Sequence, residues 1–128
     1  MANILVVDDE EDIQSLAEII LKEAGHNVTT AQDGETALDL VGRNRYDLVL
    51  LDVILPGISG LDVCRTLKKG KKTRNIPVVM FTALGTGVDM MLEKDVKADG
   101  YLQKPFTRRL LLDAIERCIK PVRHLSLG

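Results

Sequence analysis

LVLLDVILPG, Leu48 to Gly57, is the stretch on which the reading of the whole chain turns. A run of Leu and Val suited to a strand buried on both faces ends on an acid, Asp52, before the chain turns at Pro56 and Gly57. A lone Asp there has a plain explanation as a loop cap, because Asp favours turns. Its meaning depends on what else reaches the same end of the sheet.

Working outward, two periods alternate. ILVV (4–7), NVTTA (27–31), DLVLL (47–51), IPVVMF (76–81) and GYLQ (100–103) read as strands, and the longer stretches between them repeat at helical spacing. Ile13, Leu16, Ala17, Ile20 and Leu21 form one helical stripe; Gly60, Val63, Cys64 and Leu67 form another. Leu111, Ala114, Ile115, Cys118 and Ile119 mark the last helix, which Pro121 is expected to end. Gly25 and Gly70 are expected to close the first and third helices in the left-handed conformation. Strands apolar on both faces and separated by helices imply a doubly wound α/β domain, a five-stranded parallel sheet with five helices. Ligands of such sheets bind beyond the carboxyl ends of the strands, where the strand order reverses.

The 128 residues fit one domain, taken as 1–120, with 121–128 a tail or the start of a linker. Apolar residues make up 45% and charged residues 28%, an ordinary globular balance, and with two Phe, two Tyr and no Trp the core must be aliphatic. A formal net charge of −2 provides no general attraction for nucleic acid or an anionic membrane, so neither is an expected partner. The basic run Lys68 to Arg74 lacks interleaved aromatics and reads as a solvated loop. No apolar stretch approaches the roughly eighteen residues of a membrane span, and the opening MANILVVDDEED turns acidic where a signal peptide stays apolar. A cytoplasmic location is expected. Cys64 and Cys118 lack a CxxC pair or a His at ligand spacing, so both read as reduced, packed thiols.

At the strand tips the residues converge. The first strand runs into Asp8 and Asp9, the third ends at Asp52, the fourth at Thr82, and the fifth leads to Lys104 and Pro105. Three carboxylates in one crevice repel one another and resist desolvation, so they call for a cation. A hard divalent ion with oxygen ligands fits, and Mg²⁺ keeps positions open for phosphate oxygens. With Lys104 opposite, the crevice is arranged for a phosphoryl group, and Asp52 on the central strand is the natural nucleophile.

This ordered set resembles the receiver domain of two-component response regulators, chemotaxis-receiver-like, over residues 3 to about 119. The likeness rests on VDDE, on DVILPGISG with Pro56 and Gly60, on Phe81 to Ala83, and on GYLQKPF. It implies a flavodoxin-like (βα)5 fold and Mg²⁺-dependent acceptance of a phosphoryl group on Asp52 from a histidine kinase or phosphotransfer protein. Asp9 would bind the metal directly, Asp8 through water, and the Ile54 carbonyl would complete the protein ligands. Thr82 and Lys104 would hold phosphoryl oxygens, and Tyr101 would be the switch aromatic. The fourth predicted helix, the fifth strand and the fifth predicted helix would form the surface read by an effector or an attached output domain, with the domain monomeric or dimerising on phosphorylation. Such a domain is a phosphoacceptor rather than an enzyme, taking part only in its own phosphorylation and dephosphorylation. The alternative is a degenerate receiver acting as a non-phosphorylated adaptor.

Three positions depart from or vary within the pattern. Lys97 stands where the family usually has Gly, so the turn before the fifth strand is made without glycine. Ser59 replaces a common acid but is an equally good N-cap. Ile54 and Leu84, which border the attacking water in the resemblance, are aliphatic and cannot orient it. Slow hydrolysis of an aspartyl phosphate is expected. In a measurement of its decay, polar residues at both positions should shorten the lifetime severalfold, and an unchanged rate would refute the idea.

Overall fold

The computed structural model describes residues 1–82 and 97–125. Five strands, β1 (Asn3–Val7), β2 (Asn27–Ala31), β3 (Leu48–Asp52), β4 (Val78–Thr82) and β5 (Gly100–Gln103), form one sheet in the order β2-β1-β3-β4-β5. Every neighbouring pair is parallel. The described helices are α1 (Glu11–Glu23), α2 (Gly34–Arg43), α3 (Gly60–Lys69) and α4 (Arg108–Leu125). The fold is the expected doubly wound α/β sheet. The fourth predicted helix, with Leu84, lies in 83–96, outside the described residues, so α4 is the helix predicted as the fifth.

Burial along each strand follows its place in the sheet. All five residues of β3 and all five of β4 are buried, whereas the edge strands β2 and β5 alternate or open to solvent. Alternation of side chains divides the interior into two cores. Leu5, Val7, Val49, Leu51 and Met80 pack with Val63, Cys64 and Leu67 of α3. On the opposite face Ile4, Val6, Leu50, Val79 and Phe81 pack with Ala17, Ile20 and Leu21 of α1 and with Leu111 and Ile115 of α4. Neither cysteine forms a disulfide; Cys64 is buried, Cys118 partly so. Among the described residues no helix is long and apolar enough to cross a membrane.

Four local expectations are corrected. Leu16 is 44% exposed, because α1 presents to the sheet only the narrower line of Ala17, Ile20 and Leu21. Gly25 has the left-handed φ of 95°, but Gly70 caps α3 with φ −75° and ψ 137°, extended backbone whose angles do not call for glycine. There the chain leaves through a turn in which Thr73 and Arg74 donate backbone bonds to the Gly70 carbonyl. Pro121 does not end α4, which continues to Leu125. Proline removes one backbone donor and crowds one carbonyl, so a helix can bend past it. Lys68, read as part of a solvated run, turns inward and donates to the Ile76 carbonyl at 3.0 Å and to Asp99 Oδ2 at 2.6 Å.

The turn before β5 is indeed made without glycine. Lys97 itself takes the left-handed φ of 56°, at a cost on the order of 1 kcal/mol for an L-residue. Asp99, two residues on, accepts the Val78 amide at 2.8 Å and fixes β5 beside the start of β4.

Candidate functional site

The strand order places β1 and β3 side by side while their following helices cover opposite faces, so the crevice opens beyond their carboxyl ends. Asp8, one residue past β1, and Asp52, last in β3, continue the alternation of Ile4 and Val6 and of Leu48 and Leu50. Lys104 follows β5 in the same way after Leu102. Strand periodicity alone therefore aims the two acids and the amine at one face. The Lys104–Pro105 peptide is cis, and the Lys104 amide donates to the Thr82 carbonyl at 2.8 Å.

Lys104 Nζ lies 2.8 Å from Asp8 Oδ2, 3.0 Å from Asp52 Oδ2 and 3.3 Å from Glu10 Oε1. It also sits 4.7 Å from the centre of the Phe81 ring, which meets Phe106 edge-on. Asp8 is wholly buried, Asp52 and Lys104 nearly so. Asp8 Oδ1 accepts the Glu10 amide at 2.9 Å, and Asp52 Oδ1 accepts the Ile54 amide at 3.2 Å. Asp8 Oδ2 touches the ammonium as a charge but receives no hydrogen bond, a buried oxygen left with unused acceptor capacity.

Below Asp52 the chain doubles back closely. The Gly60 amide donates to the Val53 carbonyl at 2.9 Å, and a Cβ at Gly60 would collide with the Asp52 carbonyl. Only glycine lets α3 begin there. Ser59 caps that helix, its hydroxyl accepting the Asp62 amide at 3.2 Å, as expected.

Burial pushes the Asp52 carboxyl up from 3.8 to about 6, opposed by the Lys104 hydrogen bond and reinforced by the charge of Asp8. Burial by itself would lower the Lys104 ammonium, but Asp8 and Asp52 outweigh it and the net shift is upward. The pocket thus favours the charged form of its lysine and disfavours that of its central acid.

Of the residues read from the sequence, Asp8, Asp52 and Lys104 meet directly. Thr82 is buried at the adjacent strand end, in register with Gln103. Tyr101, in register with Met80, is 41% exposed and by parity shares the sheet face of Thr82 on the neighbouring strand. Ile54 is 57% exposed and supplies the amide beside Asp52. Asp9 is exposed. The group of carboxylates whose ligand atoms lie within 4.8 Å of one another consists of Asp8, Glu10 and Asp52, among the described residues. Glu10 was missed by the sequence reading. The acid beside the pair, in an already acidic helix start, carries no signal until the turn after β1 brings it over Lys104.

The donor set suits a hard divalent ion: all ligand atoms are oxygens, one of them is the buried Oδ2 without a hydrogen bond, and among the described residues the group includes no His or Cys. His26 is bonded elsewhere, accepting the Ala2 amide at 3.1 Å. A lysine shared among the acids is the charge that an incoming ion would partly replace.

Comparison with known proteins bears on the same arrangement. The profile of the response regulator receiver domain matches residues 4–116. A signal receiver domain of a Syntrophus aciditrophicus signal transduction histidine kinase is 29% identical, with a TM-score of 0.89 over 95% of this chain and 92% of that one. The Vibrio cholerae chemotaxis response regulator CheY4 is 31% identical, with a TM-score of 0.86 over 92% of this chain and 98% of that one. The receiver domain of a Pseudomonas aeruginosa sensor histidine kinase, solved with a magnesium ion coordinated in its active site cleft, is 31% identical at a TM-score of 0.87, covering 93% and 98%.

The raised carboxyl has a consequence for stability. Because Asp52 binds its proton more tightly folded than unfolded, its contribution falls as pH rises from 3.8 through about 6. Without divalent ions, Asp52→Asn should therefore unfold at higher urea than wild type at pH 7.5, by on the order of 1–3 kcal/mol. The gain should shrink as pH approaches 4. A variant less stable than wild type at pH 7.5 would show that the Lys104 ion pair outweighs the burial cost.

Proposed function

Because the chain belongs to the response regulator receiver domain family, we propose that Asp52 accepts a phosphoryl group from a phosphohistidine on a histidine kinase or phosphotransfer protein. Members of the family are signalling domains of response regulators and histidine kinases rather than enzymes in the usual sense. The observation that carries the proposal is the Lys104 ammonium 3.0 Å from Asp52 Oδ2, beside a second buried acid at the tip of the neighbouring strand.

An Asp52 oxygen attacks phosphorus, a P–O bond forms, and the P–N bond breaks with its electrons returning to the donor imidazole. Lys104 balances the charge that gathers on the phosphoryl oxygens. The Thr82 hydroxyl donates to one of them, a role its buried place at the strand end supports. Asp9, Asp8, Asp52 and the Ile54 carbonyl are assigned to a magnesium ion, which when bound supplies positive charge next to the transferring group. The unused acceptor on Asp8 and the magnesium coordinated in the Pseudomonas receiver's cleft support that assignment.

The readout follows from the sheet. Drawing the Thr82 hydroxyl toward the new anion leaves space on the face it shares with Tyr101, and an amphipathic ring half in solvent is suited to enter it. The altered surface would comprise the fourth predicted helix, β5 and α4, presented to an effector or an attached output domain. The domain is assigned residues 1–120, and the chain from 121 is a tail or the start of a linker. A monomer or a phosphorylation-dependent dimer, and a cytoplasmic location, are part of the same reading.

The test uses a phosphate mimic. In the presence of Mg²⁺, beryllofluoride should form an adduct with the wild type, visible as fluorine resonances distinct from the free species, and should form none with Asp52→Ala. If the folded wild type forms no adduct, the domain is the non-phosphorylated adaptor instead.

A further inference from the structure

Glu10 has a placement that its position in the helix does not explain. As the N-cap of α1 it makes no side-chain capping bond; its carboxylate instead reaches over the crevice to Lys104 Nζ at 3.3 Å, across 94 positions of sequence. It remains 63% exposed, so no packing holds it there. What it faces is Asp8 Oδ2, buried and without a hydrogen bond, and Asp52 Oδ2, both also on the lysine.

Charge and distance agree on what this mouth would take. Counted without the exposed Asp9, the three carboxylates that meet Lys104 leave a formal excess of two negative charges, −3 + 1 = −2, when all are ionised. One divalent cation cancels that excess. The three carboxylate oxygens lie within 4.8 Å of one another, close enough to serve one small divalent cation directly or through its water, and the exposed Glu10 side chain has room to adjust. Glu10 is the only one of the three acids that is free to move. Asp8 and Asp52 are held by burial and by the Glu10 and Ile54 amides.

We infer that Glu10 is a ligand-bearing carboxylate of the divalent-cation site, holding Lys104 while the site is free and turning its oxygen to the cation when one arrives. The inference rests on the proposed function, since it concerns the same crevice. It adds a residue to the set expected from the acidic pair, and it gives Lys104 a reason to be released toward a phosphoryl group: the cation takes over the acids that otherwise hold the amine.

Calorimetric titration with MgCl₂ alone tests this on the full chain, comparing wild type, Glu10→Gln and Asp8→Asn, each checked for its folded circular dichroism. Glu10→Gln should weaken Mg²⁺ binding about tenfold, and Asp8→Asn should abolish it. The tenfold loss should persist at 0.5 M KCl, roughly the salt at which long-range attraction is screened but direct ligation is not. Binding by Glu10→Gln within twofold of wild type, or a difference that disappears at high salt, overturns the role of Glu10 and leaves the proposed function standing provided Asp8→Asn has lost the ion. No uptake by the wild type overturns both.

Discussion

Lys104 holds two acids that would otherwise repel each other. Its ammonium lies between Asp8 and Asp52, at 2.8 and 3.0 Å, in a pocket from which water is almost excluded. Charges placed there without partners would cost several kcal/mol each, and the lysine offsets part of that cost for both acids. Their combined balance is still imperfect. One Asp8 oxygen accepts no hydrogen bond, and burial pushes Asp52 up to about 6. A pocket left short of positive charge in this way is suited to receive a cation.

The scaffold exists to hold that compromise. Completely buried β3 and β4 fix the heights of Asp52 and Thr82, while β1 and the chain after β5 bring in Asp8 and Lys104 from either side. Each buried Leu or Val of these strands stabilises the sheet by about 1.5–3 kcal/mol, so the core can carry the cost of an ionic cluster at its rim. Gly60 shows how little room remains, because α3 starts against the Asp52 carbonyl where no side chain fits. What stays exposed is the Glu10 carboxylate at the mouth and part of the Tyr101 ring on the edge strand.

Much of this was legible in the sequence because it follows from short-range periodicity. Alternating βα patterns imply the parallel sheet, and position at the carboxyl ends of the strands is enough to expect Asp8, Asp9, Asp52, Thr82 and Lys104 near one crevice, where Asp8, Asp52 and Lys104 do meet. What was not legible depends on contacts between distant segments or on backbone choices that composition does not dictate. Glu10 reads as one more acid at a helix start until the fold lays it over a lysine 94 positions away. Leu16 matches the apolar period of α1 yet stays 44% exposed, since only the sheet decides how wide a face is covered. Gly70 is a glycine where glycine's freedom is not used, and Lys97 takes the left-handed turn where glycine would be expected. Pro121 does not stop the last helix, which continues to Leu125.

The central claim is that one carboxylate in this cluster, Asp52, and none of its neighbours, becomes covalently bound to phosphorus. Treatment with acetyl phosphate and Mg²⁺, followed by borohydride reduction and peptide mass spectrometry, reads that directly, because reduction of an aspartyl phosphate leaves homoserine at the modified position. The account predicts homoserine at residue 52 alone. Conversion at Asp8, Asp9 or Glu10 in its place, or at no residue of a folded, magnesium-loaded protein, would contradict it.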